Sequence, residues 1–230
     1  MSLYALGDPH LSLGGDKPMD IFPGWEGYLP RLEANWRKLV RPEDTVMLPG
    51  DISWAMSLRG TRADFAFLHS LPGAKVLSKG NHDYWWSTMT GMQRYLAEEG
   101  LDSIRILHNN TVTAGPVALC GSRGWFFDDP SDFSEKIINR ECGRIRMSIA
   151  AAEETGLQKI CFLHYPPVTR ERECTPIMDV LRESGITRCY YAHLHGGAIA
   201  HAFNGERDGI QFRLVSADAL GFCPLLIEKY

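Results

Sequence analysis

Five short polar stretches of the chain carry side chains that suit divalent metal ions. They contain, in order, Asp8 with His10, Asp51, Asn81 with His82 and Asp83, His164, and His193 with His195. Carboxylate, amide and imidazole groups together favour borderline or hard cations such as Mn, Fe or Zn, and the lack of cysteine in these stretches argues against a structural zinc site. Any one stretch has ordinary turn composition, but the repetition predicts a site for two divalent metal ions.

A predicted strand precedes each polar stretch. These strands are apolar runs at residues 2–6, 45–48, 74–77, 159–163 and 188–192. Open α/β sheets bind ligands at the carboxyl ends of their strands, so the polar side chains are expected to gather along one edge. Neighbouring side chains after a strand point in different directions, so Asn81 and His82 are not expected to share one task.

Predicted helices alternate with these strands, which indicates the α/β class. Apolar residues recur at helical spacing in segments 30–40, 61–71, 87–99, 135–154 and 176–184, with Thr175 as the expected cap of the last helix. Short strands are predicted between 104 and 120, and three antiparallel strands are predicted at 198–203, 210–215 and 225–228. Segment 11–24, rich in glycine and proline, is expected to be a loop, either a functional flap or a surface excursion.

Length and composition limit the number of domains and the range of partners. A chain of 230 residues with 44% hydrophobic residues supports one core, so residues 1–230 are expected to form a single domain. A net charge of −4 provides no overall basic field, which disfavours nucleic acid as a partner. No run reaches membrane-spanning length and no signal peptide is evident, so no membrane partner and a cytoplasmic location are expected. The six cysteines lack a Cys-x-x-Cys pair and are expected to be free, buried thiols.

The order of the polar stretches resembles the five-block signature of a known enzyme family. Asp8-x-His10, Gly50-Asp51, Gly80-Asn81-His82-Asp83, His164 and His193-x-His195 are similar to the signature of the calcineurin-like metallophosphoesterases, over residues 8–195. The resemblance implies a four-layer α/β/β/α sandwich with two mixed β-sheets packed face to face. The late strand-rich region is expected to belong to the second sheet.

The resemblance also implies a task for each residue. Seven are implied as metal ligands: Asp8, His10 and His195 for one ion, Asn81, His164 and His193 for the other, and Asp51 as a bridge between the two. His82 would contact the substrate phosphate or protonate the leaving oxygen, and Asp83 would orient His82. One departure from the usual pattern is Ala192, which precedes His193 where the family has glycine.

The implied chemistry is hydrolysis of a phosphate ester. Two cations roughly 3.5 to 4 Å apart lower the pKa of a bridging water and clamp the phosphoryl oxygens. The resemblance therefore implies a dinuclear metal-dependent phosphoesterase that hydrolyses a small phosphomonoester or phosphodiester through a metal-bridging hydroxide. The residues after Asp51, Ile52-Ser53-Trp54, lack the acidic-arginine continuation of the protein serine/threonine phosphatases, which argues against a phosphoprotein substrate.

Three other functions stay open from the residues alone. A nuclease is disfavoured by the acidic balance of the chain. A dinuclear hydrolase that cleaves an amide often has two histidines in its first block, whereas this chain has Asp8 and His10. A binding scaffold that has kept the fold and lost catalysis would be expected to lack ligands or His82, and this chain has the full set.

Several residues near the polar stretches have two interpretations. Trp54, Trp85 and Trp86 either line a pocket or pack against the edge of a sheet. Stretch 123–133 is predicted to be an aromatic and acidic loop in which Asp128, Asp129 and Asp132 form a solvated rim.

Overall fold

The computed structural model describes residues 1–125 and 135–230. The strands in these residues are β1 (Ser2–Ala5), β2 (Thr45–Pro49), β3 (Ala74–Ser78), β4 (Ile104–Ile106), β5 (Val112–Ala114), β6 (Val117–Ser122), β7 (Gln158–Leu163), β8 (Arg188–Tyr191), β9 (Gly205–Arg207), β10 (Ile210–Leu214) and β11 (Leu225–Lys229). The α-helices are α1 (Tyr28–Leu39), α2 (Arg62–Ser70), α3 (Met89–Glu98), α4 (Glu135–Glu153) and α5 (Thr175–Glu183).

The first sheet has the strand order β11-β1-β2-β3-β4. Strands β1 to β4 run parallel, and β11 pairs antiparallel with β1 at the edge. The central strand β2 is buried on both faces at Val46, Met47 and Leu48, as a parallel strand covered by two layers must be. The carboxyl ends of β1, β2 and β3 therefore lie side by side.

The second sheet has the strand order β5-β6-β7-β8-β10-β9. Its four central strands are parallel, while β5 and β9 pair antiparallel at the two edges. Both sheets are therefore mixed. The carboxyl ends of β7 and β8 are neighbours, which brings the segments containing His164 and His193 together.

Three apolar cores hold four layers together. Leu3, Met47 and Val76 of the first sheet pack against Leu119 and Phe162 of the second sheet. Helices α1, α2 and α3 cover the outer face of the first sheet, whereas α4 and α5 cover the outer face of the second. The prediction of a four-layer α/β/β/α sandwich with two mixed sheets packed face to face is confirmed.

The end of the chain differs from the sequence-based prediction. Segment 198–203, predicted as a strand, lies mostly in a 3-10 helix, Gly196–His201, because the chain turns at Gly196 (φ 51°) and Ala202 N–H closes a short turn on the Ile199 carbonyl at 3.0 Å. Strand β10 was predicted to be antiparallel, but it runs parallel to β8. The long connection between β8 and β10 returns the chain to the end of the sheet at which β8 begins. Strand β11 joins the first sheet instead of the second.

The start of α5 also differs. Thr175 is its first helical residue, and Cys174 occupies the capping position without a side-chain hydrogen bond. The predicted cap is therefore wrong by one residue. Thr175 is exposed, and Pro176 follows it in the first turn, as expected for a proline.

Three further predictions concern thiols, membranes and the acidic loop. All six cysteines are free, with five of them buried and Cys223 half-buried. None of the described helices has the length and apolar character needed to cross a membrane. Most of the predicted acidic loop, including Asp128, Asp129 and Asp132, lies outside the described residues.

Candidate metal centre

The predicted site residues lie where the two sheets meet at the carboxyl ends of their strands. Gly7, just after β1, pairs with Ser216, just after β10. Gly7 N–H donates to the Val215 carbonyl at 2.7 Å, and the Gly7 carbonyl accepts from Ala217 N–H at 2.9 Å. This backbone contact joins the first sheet to the second directly beside Asp8.

The first ligand group consists of Asp8, His10 and His195, whose ligand atoms lie within 4.8 Å of one another. His195 Nε2 is 3.5 Å from Asp8 Oδ2. Asp8 and His10 are buried and follow β1, while His195 is half-buried and follows β8. The two sheets thus supply this group jointly.

The second ligand group consists of Asp51, His164 and His193, again with ligand atoms within 4.8 Å of one another. The Oδ1 atom of Asn81 lies 2.6 Å from His164 Nε2 and 3.0 Å from His193 Nδ1. An amide oxygen and two ring nitrogens therefore converge on one point beside the Asp51 carboxylate. The structure thus brings Asn81 together with His164 and His193, the two residues with which the resemblance groups it.

Asp51 lies between the two groups. Its Oδ2 atom is 3.7 Å from His10 Nε2 and 3.5 Å from His164 Nε2. Its other carboxylate oxygen, Oδ1, accepts a hydrogen bond from the backbone N–H of His82 at 2.8 Å. One oxygen is thus fixed by the backbone, and the other faces both groups.

The backbone of four candidate ligands has positive φ. The values are 54° for Asp8, 44° for His10, 51° for Asp51 and 75° for His193. Residues with a side chain rarely adopt this left-handed region, and each costs on the order of 1–3 kcal/mol, so the conformation persists only where the surrounding structure enforces it. Hydrogen bonds between the two loops enforce it here, from Asp8 N to the Gly50 carbonyl at 3.1 Å and from His10 N to the Asp51 carbonyl at 3.0 Å.

Asp83 has a different task from the one predicted. Its buried carboxylate does not contact the ring of His82; it accepts hydrogen bonds from the backbone N–H groups of Asp51 (2.9 Å), Ile52 (2.8 Å) and Gly80 (2.7 Å). It also accepts from Ser53 N and from the Trp85 indole. Asp83 therefore fixes the loop that presents Asp51. The predicted role was wrong because the side chain of Asp83 points into the core, although Asp83 follows His82 directly in the sequence.

Gly80 allows the two loops to approach each other. A Cβ atom at this position would lie 2.0 Å from Asp51 Oδ1 and 2.2 Å from Asp51 N. No side chain fits within such distances, so only glycine permits the Asp51 carboxylate to lie against this backbone.

Asp218, which the sequence analysis missed, holds His195. Its Oδ1 atom is 2.9 Å from His195 Nδ1, and its Oδ2 atom accepts from Gly196 N–H at 2.9 Å. This contact leaves His195 Nε2 directed at Asp8. The available signal was a further polar residue after a strand, since Asp218 follows β10. For His164 the corresponding partner is the backbone carbonyl of Pro49, 3.1 Å from Nδ1.

Burial governs the electrostatics of the centre. Burial raises the pKa of Asp8 to about 6 and raises that of Asp51 well above its usual value, with the Asp83 and Asp8 charges adding to the effect at Asp51. Burial and the neighbouring histidines lower the pKa of His193 to about 4 and lower those of His10 and His164 well below the usual value. His195 differs: although burial opposes it, the Asp8 and Asp218 carboxylates raise its pKa. His10, His164 and His193 are therefore neutral at pH 7 and do not balance the buried carboxylates.

The donor set fits divalent cations. Asp8 Oδ1 and His195 Nε2 are buried without a hydrogen-bond partner. Buried polar atoms in folded proteins almost always have a partner, so two such atoms facing the same space indicate a missing positive ligand. Neutral imidazoles and carboxylates are the donors that Mn, Fe and Zn accept. Both groups together therefore form two candidate metal-binding triads.

His82 lies apart from both triads. Its ring centre is 4.5 Å from the Trp54 ring and 5.8 Å from the His10 ring, and it borders an open cleft. Asn81 and His82 thus point in different directions, as predicted. Burial lowers the pKa of His82, and the positive charge of Lys17 lowers it further. Its predicted catalytic role stays a prediction.

The three tryptophans have different positions. Trp54 lines the cleft beside His82 and stacks on the His10 ring at 5.0 Å between ring centres. Trp85 is buried in the core against Phe65, and Trp86 packs beside it. Of these three tryptophans, Trp54 is therefore the one that lines the cleft. Trp25, which the sequence analysis did not single out, lines the same cleft.

Fold and site together define a class of protein: a two-sheet α/β sandwich with two candidate metal-binding triads at the edge shared by its sheets. A model of the calcineurin-like phosphoesterase family matches residues 1–197. The chain belongs to the calcineurin-like phosphoesterases. A comparison with curated proteins finds no match.

Several solved structures share the fold at low sequence identity. The phosphopantetheinyl hydrolase PptH from Mycobacterium tuberculosis is 14% identical with a TM-score of 0.54, and the match covers 98% of this chain and 95% of that one. Protein AQ665 of unknown function from Aquifex aeolicus is 17% identical with a TM-score of 0.53 and the same two coverages. TT1561 of Thermus thermophilus is 19% identical with a TM-score of 0.52, covering 86% of this chain and 85% of that one.

Proposed function

We propose that the chain is a dinuclear metal-dependent phosphoesterase that hydrolyses a small phosphomonoester or phosphodiester. The observation that carries the proposal is the position of Asp51, whose Oδ2 atom lies within 3.7 Å of a ring nitrogen from each triad. A carboxylate of the second triad that also faces the first triad suits a pair of dications. Membership of the phosphoesterase family supports hydrolysis of a phosphate ester.

In this proposal, the seven predicted ligands are divided between two ions. Asp8, His10 and His195 hold one ion; His164, His193 and Asn81 hold the other; and Asp51 is shared. Mn, Fe and Zn suit these donors, and none of the six cysteines belongs to the two triads. When bound, a pair of such ions supplies Lewis acidity that activates water and draws the phosphoryl oxygens into place.

The residues of the chain contribute binding, orientation and proton transfer. Asp83 holds the Asp51 loop through its backbone hydrogen bonds, and Asp218 holds the His195 ring. His82 borders the cleft and has no place in either triad, so its ring is free to reach the substrate. We assign it the role of donating a proton to the leaving oxygen, because its imidazole borders the cleft beside the two triads and belongs to neither of them.

The cysteines and the net charge of the chain support a location and a class of partner. Free thiols, five of them buried, fit a reducing compartment, so we propose a cytoplasmic location. The net charge of −4 favours a small phosphate ester over nucleic acid as the partner. We propose, as the sequence predicted, that residues 1–230 act as one domain.

Elemental analysis combined with a hydrolysis panel tests the proposal. The purified protein is expected to hold about two divalent ions per chain and, with added manganese, to hydrolyse at least one of a set of nucleotides, sugar phosphates, lipid-linked pyrophosphates and phosphodiesters. Chelation is expected to remove the activity and manganese to restore it. Stoichiometric metal without ester turnover would instead indicate a binding scaffold. Preferred cleavage of single-stranded DNA would indicate a nuclease, and cleavage of amide substrates would indicate an amidohydrolase.

A His82→Asn variant separates the role of His82 from ligation. It is expected to keep the full metal content and to lose turnover by about 10²–10⁴-fold, because only the proton donor is removed. His108→Asn is the matched control, since His108 is another half-buried histidine, which packs against Trp86. Loss of metal from His82→Asn would show that His82 is a ligand.

A further inference from the structure

An apolar cleft opens beside the first triad. Its apolar walls are Met19, Phe22, Pro23, Trp25 and Trp54. The imidazoles of His10, His82 and His195 and the residues Gly196 and Gly197 form its polar side. The cleft encloses about 490 Å³, which is within the range of pockets that bind drug-sized molecules. It is therefore large enough for more than the phosphoryl group of a substrate.

The walls of the cleft offer few hydrogen bonds. None of the residues that line it is acidic, lysine or arginine, and the indole N–H of Trp54 already donates to Met19 Sδ at 3.4 Å. A sugar or another polyhydroxy group bound here would find partners only on the side of the imidazoles and of Gly196 and Gly197, and each hydroxyl against the apolar walls would cost affinity. The walls therefore match an alkyl or aryl group.

A second cavity borders the centre from the side of the other triad and differs in chemistry. It encloses about 300 Å³ and is lined by His193 together with Thr169, Glu171, Arg172 and His201, along with two apolar residues. Charged and hydroxyl groups in this cavity suit a polar part of a ligand. The two sides of the centre are thus unequal, and the apolar one is the side of His82.

The apolar cleft is built as one piece with the first triad. Trp25 packs edge to face on Phe222 at 4.9 Å and on His195 at 5.7 Å between ring centres. Tyr28 packs on Trp25 and donates a hydrogen bond from its hydroxyl to the His10 carbonyl at 3.1 Å. The wall therefore has a fixed position relative to His10 and His195, so a group in the cleft is held at a defined distance from the reacting phosphate.

We propose that the apolar cleft binds the leaving group of the substrate, which is then the phosphate ester of an alkyl or aryl alcohol. This inference rests on the proposed phosphoesterase function. His82, the assigned proton donor, borders the cleft, so the oxygen that it protonates must leave toward the cleft. The alcohol released by hydrolysis is apolar.

Binding of n-alkylphosphonates to the metal-loaded protein tests the proposal without requiring turnover. Methyl-, butyl- and octylphosphonate share one anionic head group and differ only in chain length, and calorimetry measures their affinities. Each methylene that enters the cleft is expected to raise the affinity about three- to fourfold. Equal affinities along the series would overturn the proposal for the cleft alone. No binding of any member, methylphosphonate included, would contradict the phosphoesterase function and with it the proposal.

Two neighbouring residues provide a variant and its control. Phe22 lines the cleft and is 49% exposed, whereas Ile21 is 71% exposed and is not part of the cleft lining. Phe22→Ser is expected to lower octylphosphonate affinity about tenfold and to leave methylphosphonate affinity unchanged, while Ile21→Ser changes neither. Equal effects of the two variants would also contradict the proposal. If affinity rises with the length of the alkyl chain but the protein hydrolyses no ester, the phosphoesterase function is refuted, while the cleft remains a binding site for alkyl groups.

Discussion

The two ends of the first sheet bury polar groups in opposite ways. At the amino ends of its strands, the ammonium group of Lys75 donates to the carbonyls of Leu71 and Gly73 and to Ser103 Oγ, and Asp44 accepts from Ser2 N at 2.6 Å and from Arg41 N at 2.8 Å. Those groups are satisfied within the chain.

At the carboxyl ends, the buried atoms Asp8 Oδ1 and His195 Nε2 have no partner, and the carboxylate of Asp51 faces neutral imidazoles. An unpaired buried polar atom costs about 1–3 kcal/mol, and at this end two such atoms belong to one group of candidate metal ligands. The carboxyl ends of the strands therefore carry the candidate metal-binding residues. Changes at the two ends should affect different properties of the protein.

The largest expected effect is the loss of turnover in Asp51→Asn. An amide cannot supply the charge that holds two dications, so metal-dependent turnover is expected to fall by at least about a thousandfold. Because Asp51 has a raised pKa and no cation partner in the metal-free protein, the free energy of unfolding without metal is expected not to fall. Steady-state kinetics and denaturant unfolding in chelator measure the two quantities. Wild-type turnover in this variant would remove the proposed mechanism.

A pH dependence of stability is expected at the opposite end of the sheet. Burial lowers the pKa of Lys75 from 10.5 to about 8. Between these values the unfolded chain holds the proton and the folded chain does not, so the free energy of unfolding rises as the pH increases from about 8 to 10.5, by up to about 3 kcal/mol. Denaturant titrations across this range, with Lys75→Met as the reference, measure the rise.

The Lys75→Met reference is expected to lack that rise while keeping its turnover, since Lys75 lies at the end of the strand remote from Asn81. If wild type and Lys75→Met show the same pH profile, Lys75 is not the group responsible. If the variant loses turnover, the separation of the two ends is wrong.

A smaller effect is expected from Asp218→Asn. The change weakens the hydrogen bond that orients His195, and loss of such a partner typically lowers metal affinity or activity about 10- to 100-fold. Competition with a chelator measures the affinity of each ion. Only the ion at the first triad is expected to be affected, because backbone from Pro49 orients His164. Asp208→Asn, which removes an exposed carboxylate paired with Arg182, is expected to change nothing.

The smallest effect concerns the contact between Gly7 and Ala192. A Cβ atom on Gly7 would lie 2.7 Å from the Cβ atom of Ala192, so Gly7→Ala is expected to destabilise the protein by about 1–3 kcal/mol. Adding Ala192→Gly removes the clash and is expected to restore at least half of the loss. Thermal unfolding of the two single variants and the double variant measures this coupling. If the stability losses of the two single variants simply add in the double variant, Gly7→Ala does not clash with the Ala192 side chain.

The sequence was sufficient for the features that are local. The candidate ligands lie within a few residues of the end of an apolar run, so the same pattern predicted both the strand ends and the ligand positions. The four-layer sandwich was predicted from the family resemblance. Asp218 and Trp25 were missed because only the fold brings them beside His195. The task of Asp83 was wrong because adjacency in sequence does not give side-chain direction.

The late strands show a second limit. Which sheet receives β11, and in which direction β10 runs, depends on contacts with segments far away in the chain. The edge strand β9, with the short polar sequence Gly-Glu-Arg, has no apolar pattern to predict it. Ala192, which departs from the usual family residue, is accommodated because Gly7 opposite it has no side chain.

Each triad takes residues from both sheets. Asp8 and His10 come from the first sheet and His195 from the second, and Asp51 comes from the first while His164 and His193 come from the second. Neither half of the polypeptide, produced separately, would chelate a dication with a complete triad. Retention of metal during purification therefore reports on the docking of the halves, and a lesion that loosens the sandwich far from the centre would be detected as lost metal before the protein unfolds.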